Sequence, residues 1–191
     1  MGPADQRAAE EFNSVLVYTS ESLAEPMELI GDVTVTLYAA TSARDSDWTA
    51  RLCEVYPDGR SINLQEGIVR ARYRDSLSEP SLLEPDRVYC YEIPLGPVGV
   101  RVAAGNRLRV TIASSDFPQW DRNLNTGGDL FQNTSMRFTI GASHRVAVHQ
   151  RFVIGRRVHV ARDVLGEHQS GGFTQRQAAR RQRPSVVDNQ S

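Results

Sequence analysis

Along most of this chain apolar and polar positions alternate with a period of two. Val33, Val35 and Leu37 interleave with Thr34, Thr36 and Tyr38, the pattern of a strand with one face buried. Trp48 to Tyr56 reads as a second strand, closed by the turn signal Pro57-Asp58-Gly59. Ile68 to Tyr73 is a third, and Val88 to Ile93 a fourth that should stop at Pro94 and the Gly96-Pro97 pair. Leu108, Val110 and Ile112 form the inward face of a fifth, Met136, Phe138 and Ile140 that of a sixth, and Val146 to Val153 makes a seventh. Val15 to Tyr18 and Met27 to Ile30 add edge strands. No long amphipathic helix is legible between residues 12 and 155. Short strands broken by Pro, Gly and Asp turns predict an all-β antiparallel sandwich of jelly-roll length.

The pattern divides the chain into a lead-in over 1–11, the β domain over 12–155 and an Arg-rich tail over 156–191. Gln169-Ser170-Gly171-Gly172 and the polar run from Arg176 predict low order in that tail. Charge follows the same division. Residues 1–150 carry 14 Arg against 20 acids, and residues 151–191 carry 8 Arg against 3. A net charge of -1 and an acidic body argue against a nucleic-acid partner. All 22 basic residues are Arg, which reads as coding bias rather than selection for bidentate anion contacts.

No run nears the roughly 18 apolar residues that a membrane span needs. Met1 to Arg7 has no apolar signal region, so the expected compartment is cytoplasmic and no membrane partner is expected. Cys53 and Cys90 lie in separate strands, too few for a disulfide framework and outside any zinc pattern, and are expected to be two buried free thiols. No cofactor fingerprint is present.

Candidate chemistry is sparse. Gly141-Ala142-Ser143-His144-Arg145 is the nearest approach to a nucleophile elbow, but Arg replaces the final Gly and no helix is predicted after it. A turn between strands accounts for it better. Asp45 and Asp47 are the best carboxylate pair. They are candidates for calcium, although Asp side chains bonding nearby backbone in a turn explain them more simply. Arg70, Arg72 and Arg74 form a row on one strand face, read first as solvated and second as an ion-paired seam against Glu54, Asp58 or a partner domain; Arg107 and Arg109 repeat the pattern.

The loop from Ser114 to Gly128 concentrates Phe117, Pro118, Trp120, Asp121, Arg122 and Asn123 directly after a strand. It is either self-packed or a contact surface, since clustered Trp, Phe and Arg anchor interfaces. Trp48, beside the Asp45/Asp47 pair, is a further contact candidate. Trp48, Trp120 and the two aspartates also support a rival reading, a free-standing module that binds carbohydrate.

Four motifs then occur in order: Asp47-Trp48-Thr49-Ala50-Arg51-Leu52 through Arg60, Glu66-Gly67-Ile68-Val69-Arg70-Ala71-Arg72-Tyr73-Arg74, Gly105-Asn106-Arg107-Leu108-Arg109, and Ser114 to Gly128. Together they resemble the C-terminal domain of the X-Pro dipeptidyl-peptidase family, which includes the cocaine-esterase-like (CocE/NonD) and acyl-amino-ester serine hydrolases. Gly2 to Arg7 is similar to the segment that leads into that domain. The resemblance implies a galactose-binding-like jelly roll that packs on an α/β-hydrolase catalytic domain, helps wall its substrate pocket and can aid homo-oligomer formation. It implies a triad located wholly in that other domain, so no position here takes a catalytic role and the chain alone is expected to be inactive. Near residue 150 the family's usual ending gives way to the Arg-rich tail, which points to divergence or a frame change.

Overall fold

The computed structural model describes residues 2–128 in full and the backbone of 143–154 and 157–169. A single helical turn, α1 (Arg7–Glu10), precedes eight strands among the described residues: β1 (Leu16–Thr19), β2 (Met27–Thr41), β3 (Asp47–Val55), β4 (Ser61–Arg70), β5 (Tyr89–Val102), β6 (Arg107–Ala113), β7 (Ser143–Ile154) and β8 (Arg157–Gln169). Every strand pair is antiparallel. The strands form two four-stranded sheets, a front sheet ordered β1-β6-β3-β4 and a back sheet ordered β5-β2-β7-β8.

The alternation explains the core. Leu29, Val33, Val35 and Leu37 of β2 and Tyr91 and Ile93 of β5 form one apolar cluster with Trp48, Ala50 and Leu52 of β3 and Leu108, Val110 and Ile112 of β6. The Trp48 and Tyr91 rings pack across the sheets with centroids 5.8 Å apart. Burial of the Tyr91 side chain pushes its hydroxyl up to about 12.

Several sequence expectations need correction. Met27–Ile30 and Val33–Tyr38 are one strand, and β2 is central rather than an edge, paired to both β5 and β7. Val88–Ile93 does not end at Pro94, because β5 continues to Val102. It can do so because β5 is an outermost strand, where a residue without an N–H breaks no second ladder. The register shifts there, with Val33 opposite Gly96 and Thr34 opposite Pro94. Gly96 has φ +99°, a backbone that L side chains rarely adopt. Across this corner Gly67 of β4 lies so near Pro94 that a Cβ would collide with its carbonyl. That contact brings the edges of the two sheets together.

β4 starts earlier than its apolar run suggested and stops at Arg70; Ala71–Tyr73 is a 3-10 turn. The chain also keeps strand geometry past residue 155, since β8 pairs with β7 from Ile154↔Arg157 to Ser143↔Gln169. The low-order tail is therefore corrected over 157–169. The Met136, Phe138 and Ile140 strand and residues 170–191 lie outside the described residues.

Candidate docking site around the 114–128 loop

β3 is buried on both faces. Its inner residues Trp48, Ala50 and Leu52 meet the back sheet, while Thr49, Arg51 and Cys53 face outward beneath the lead-in and the 114–128 loop. This outer layer is polar, and the loop is fixed into it at both ends.

The far end is held by two carboxylates, Asp45 in the β2–β3 connection and Asp47 at the start of β3. Asp47 lies directly opposite Arg70 in the β3–β4 register. Arg70 donates to it bidentately, Nε to Oδ1 at 2.8 Å and Nη2 to Oδ2 at 2.9 Å. Arg72 sits on the 3-10 turn, which redirects it from the strand face toward Asp45: its Nε donates to Oδ2 at 2.7 Å and its backbone N–H to Oδ1 at 3.0 Å. Asp45 is 0% exposed and Arg72 8%. Asn123 Nδ2 bridges the carboxylates, to Asp45 Oδ2 at 2.9 Å and Asp47 Oδ1 at 2.8 Å. Arg72 closes the loop by donating twice to the Gly128 carbonyl at 3.1 Å.

This replaces the solvated arginine row with an ion-paired seam, and its partners are Asp45 and Asp47 rather than Glu54, which bonds Asn106 and Tyr56, or Asp58, which pairs with Arg60. Arg74 leaves the row altogether. It donates to the carbonyls of Ala71 and Ser81 and lies over the Tyr89 ring at 4.4 Å. All four oxygens of Asp45 and Asp47 already accept hydrogen bonds, so this geometry offers calcium no free oxygen from the pair. Among the described residues no cluster of three or more His, Cys, Asp or Glu could hold a metal ion.

The near end is held by Arg51, which reaches three segments at once: Glu66 on β4 at 2.7 Å, Gln6 of the lead-in at 2.8 Å and Asp116 of the loop at 2.8 Å. Gln119 Nε2 donates to Glu66 Oε1 at 2.8 Å, and the N–H groups of Gln119 and Trp120 donate to the Asp116 carbonyl. Burial alone would raise the Glu66 carboxyl, but the Gln119 and Arg51 donors together with the Arg51 charge outweigh it and leave it lowered. For Asp116 burial dominates; its carboxyl is raised despite Arg51, with the Glu66 charge adding to the rise. Glu10 of α1 completes the layer by accepting from Ser61 Oγ and Arg109, both at 2.5 Å. The second arginine pattern thus divides, with Arg109 tied down and Arg107 exposed, bonded to the Ser20 carbonyl.

Between these anchors the loop rises to an exposed crest. Phe117 is 55% exposed, with the Arg122 guanidinium 4.5 Å from its ring centroid. Pro118 and Asp121 are exposed and Trp120 is half-buried. The crest flanks a cleft of about 570 Å³ whose other wall is the end of the lead-in and the residues that follow it up to β1, with Glu10, Phe12 (66% exposed), Ser14 and Val15.

The structure therefore brings together Asp45, Asp47, Arg70, Arg72 and Asn123, and separately Phe117, Trp120 and Arg122. Trp48 belongs to neither group; it is 2% exposed and lies in the core. Sequence reasoning missed Arg51, Glu66, Asp116, Gln6 and Glu10. The available signal was a charged residue, Arg51, midway along an otherwise core-forming strand. Ser143 and His144 open β7, where the chain runs on as a strand rather than as the helix of a nucleophile elbow.

Comparison with known proteins places the chain in a family. Residues 4–153 match the family described as X-Pro dipeptidyl-peptidase C-terminal non-catalytic domain. Cocaine esterase from Rhodococcus sp. (strain MB1 Bresler) is 40% identical over 155 residues, covering 80% of this chain and 27% of that protein. Among solved structures, an aminopeptidase from a marine sediment Thaumarchaeota archaeon superposes with a TM-score of 0.62 at 37% identity, covering 64% of this chain and 21% of the other. An alpha-amino acid ester hydrolase gives the same TM-score and coverage at 34% identity. The chain thus spans about a quarter of the length of these relatives.

Proposed function

This chain belongs to the family of X-Pro dipeptidyl-peptidase C-terminal non-catalytic domains, and on that premise we propose that it is the accessory part of a dipeptidyl-peptidase- or esterase-type serine hydrolase. In this role it packs on an α/β-hydrolase domain and holds one wall of that domain's substrate pocket. Fixing such a wall supplies part of the positioning that catalysis needs. One observation carries the reading: the 114–128 loop is bonded into the domain at both ends yet presents Phe117 and Arg122 outward. A loop that served only its own domain would have no use for a phenyl ring held this far out of it.

The carbohydrate reading loses two of its three supports, because Trp48 is core and both aspartates are engaged by arginine. The test is hydrolysis. The purified 191-residue chain should turn over neither X-Pro anilides nor aryl esters. Turnover that persists through purification and is blocked by a serine-directed phosphonate overturns the proposal.

A further inference from the structure

An accessory domain must turn one particular face to the hydrolase domain, and the lead-in indicates which. In a C-terminal domain the rest of the protein arrives through the segment that opens the domain. Here that segment is bolted to the front sheet. Asp5 bridges Ile62, Ala4 N–H donates to Asn63 Oδ1 at 2.6 Å, and Gln6 N–H donates to the Ser61 carbonyl at 2.7 Å. Gln6 and Glu10 then tie it to Arg51 and Arg109. A chain that arrives through this segment is therefore held against the front sheet from residue 4 onward.

The chemistry of the face agrees. Phe12 and Phe117 stand exposed on opposite walls of the cleft. On the back sheet the described outward positions Glu28, Asp32, Thr34, Thr36 and Glu92 are polar, and the exposed Ile30 and Tyr38 are not arranged around a cleft with a guanidinium. Arg51, Arg70 and Arg72 each engage a carboxylate, whereas among the described residues none pairs with Arg122, which is held over Phe117.

Resting on the accessory reading, we propose that the cleft between the lead-in and the 114–128 loop is the surface that seats the α/β-hydrolase domain. Phe117 and Phe12 enter apolar pockets on that domain, and Arg122 meets a carboxylate on their rim. An aromatic anchor beside an unpaired guanidinium is the composition of an interface hot spot. Because the loop is fixed before it binds, little ordering entropy opposes association.

The test mixes the whole 191-residue chain with the α/β-hydrolase portion of a family member, shown to be folded by stoichiometric labelling with a serine-directed phosphonate. Affinity is measured by calorimetry at low and high salt. Phe117→Ala and Arg122→Glu should each raise Kd about tenfold or more, the latter with a weaker salt dependence, while Ile30→Ser changes it less than twofold. All three positions are exposed, so thermal unfolding should be unchanged. Binding that is weakened by Ile30→Ser and indifferent to Phe117→Ala and Arg122→Glu overturns the face assignment and leaves the accessory reading intact. Absence of binding by the unmodified chain overturns the accessory reading itself, and this proposal with it.

Discussion

Both faces of β3 are largely covered, and by opposite chemistry. Inward, Trp48, Ala50 and Leu52 join the apolar cluster shared with the back sheet, the Trp48 indole against the Tyr91 ring. Outward, Arg51 is shut in by carboxylates and amides from three segments, and Asp45 and Asp47 are sealed by two arginines and an asparagine. Apolar burial is non-directional and supplies cohesion. Ion pairs with fixed geometry add little net stability over an apolar filling but specify which segments meet and at what angle. In this domain cohesion and orientation are assigned to opposite sides of one strand.

The sharpest way to break the comparison is Asp45→Ala. It strands Arg72 without its carboxylate in a site that water scarcely reaches, and the expected loss is about 3–5 kcal/mol. Asp45→Asn keeps the volume and part of the hydrogen bonding, so it should lose less; denaturant unfolding measures both. Leu52→Ala on the other face should cost about 2–5 kcal/mol by leaving a cavity. The two variants differ in where the damage is felt. Hydrogen exchange over 114–128 should accelerate far more for Asp45→Ala than for Leu52→Ala at matched global stability. Equal acceleration would erase the distinction between the layers.

The smallest effect is pH dependence, which only the outer layer should show. Glu66 titrates below its ordinary value of 4.5, so its contribution is complete above that pH and fades as pH falls through the lower folded value. Asp116 titrates above its ordinary value of 3.8, and acidification through that raised value favours the fold. Unfolding measured from pH 7 to pH 3 should therefore show Glu66→Gln losing the acid-side decline and Asp116→Asn steepening it. Leu52→Ala should leave the shape of the profile unaltered.

The inner layer was legible because a period of two is a local property: Val33, Val35 and Leu37 announce themselves within five residues. What misled was non-local. Pro94 reads as a stop until β5 is known to be outermost, a fact about topology rather than about neighbours in sequence. Arg72 reads as a continuation of the Arg70 row because residues 71–73 keep the alternation while the backbone turns. Its partner Asp45 lies 27 residues away, and Asn123 lies a further 51 beyond Arg72. Local pattern therefore told which residues shun water, but not that Thr49, Arg51 and Cys53 would be covered by other polar segments. The 114–128 loop was recognisable as unusual from its composition. Its division into bonded roots and an exposed crest required the fold.

The two cysteines turn this arrangement into a pair of clocks. Cys90, expected from its strand to be buried, stands exposed on β5 and should react with an alkylating reagent at once. Cys53 is fully buried on β3, its thiol pushed up to about 11, chiefly by burial, with Glu10 of the lead-in adding to the rise. It should stay silent until the segment above it peels away. The ratio of the two labelling rates then times how often the tether lets go of its sheet.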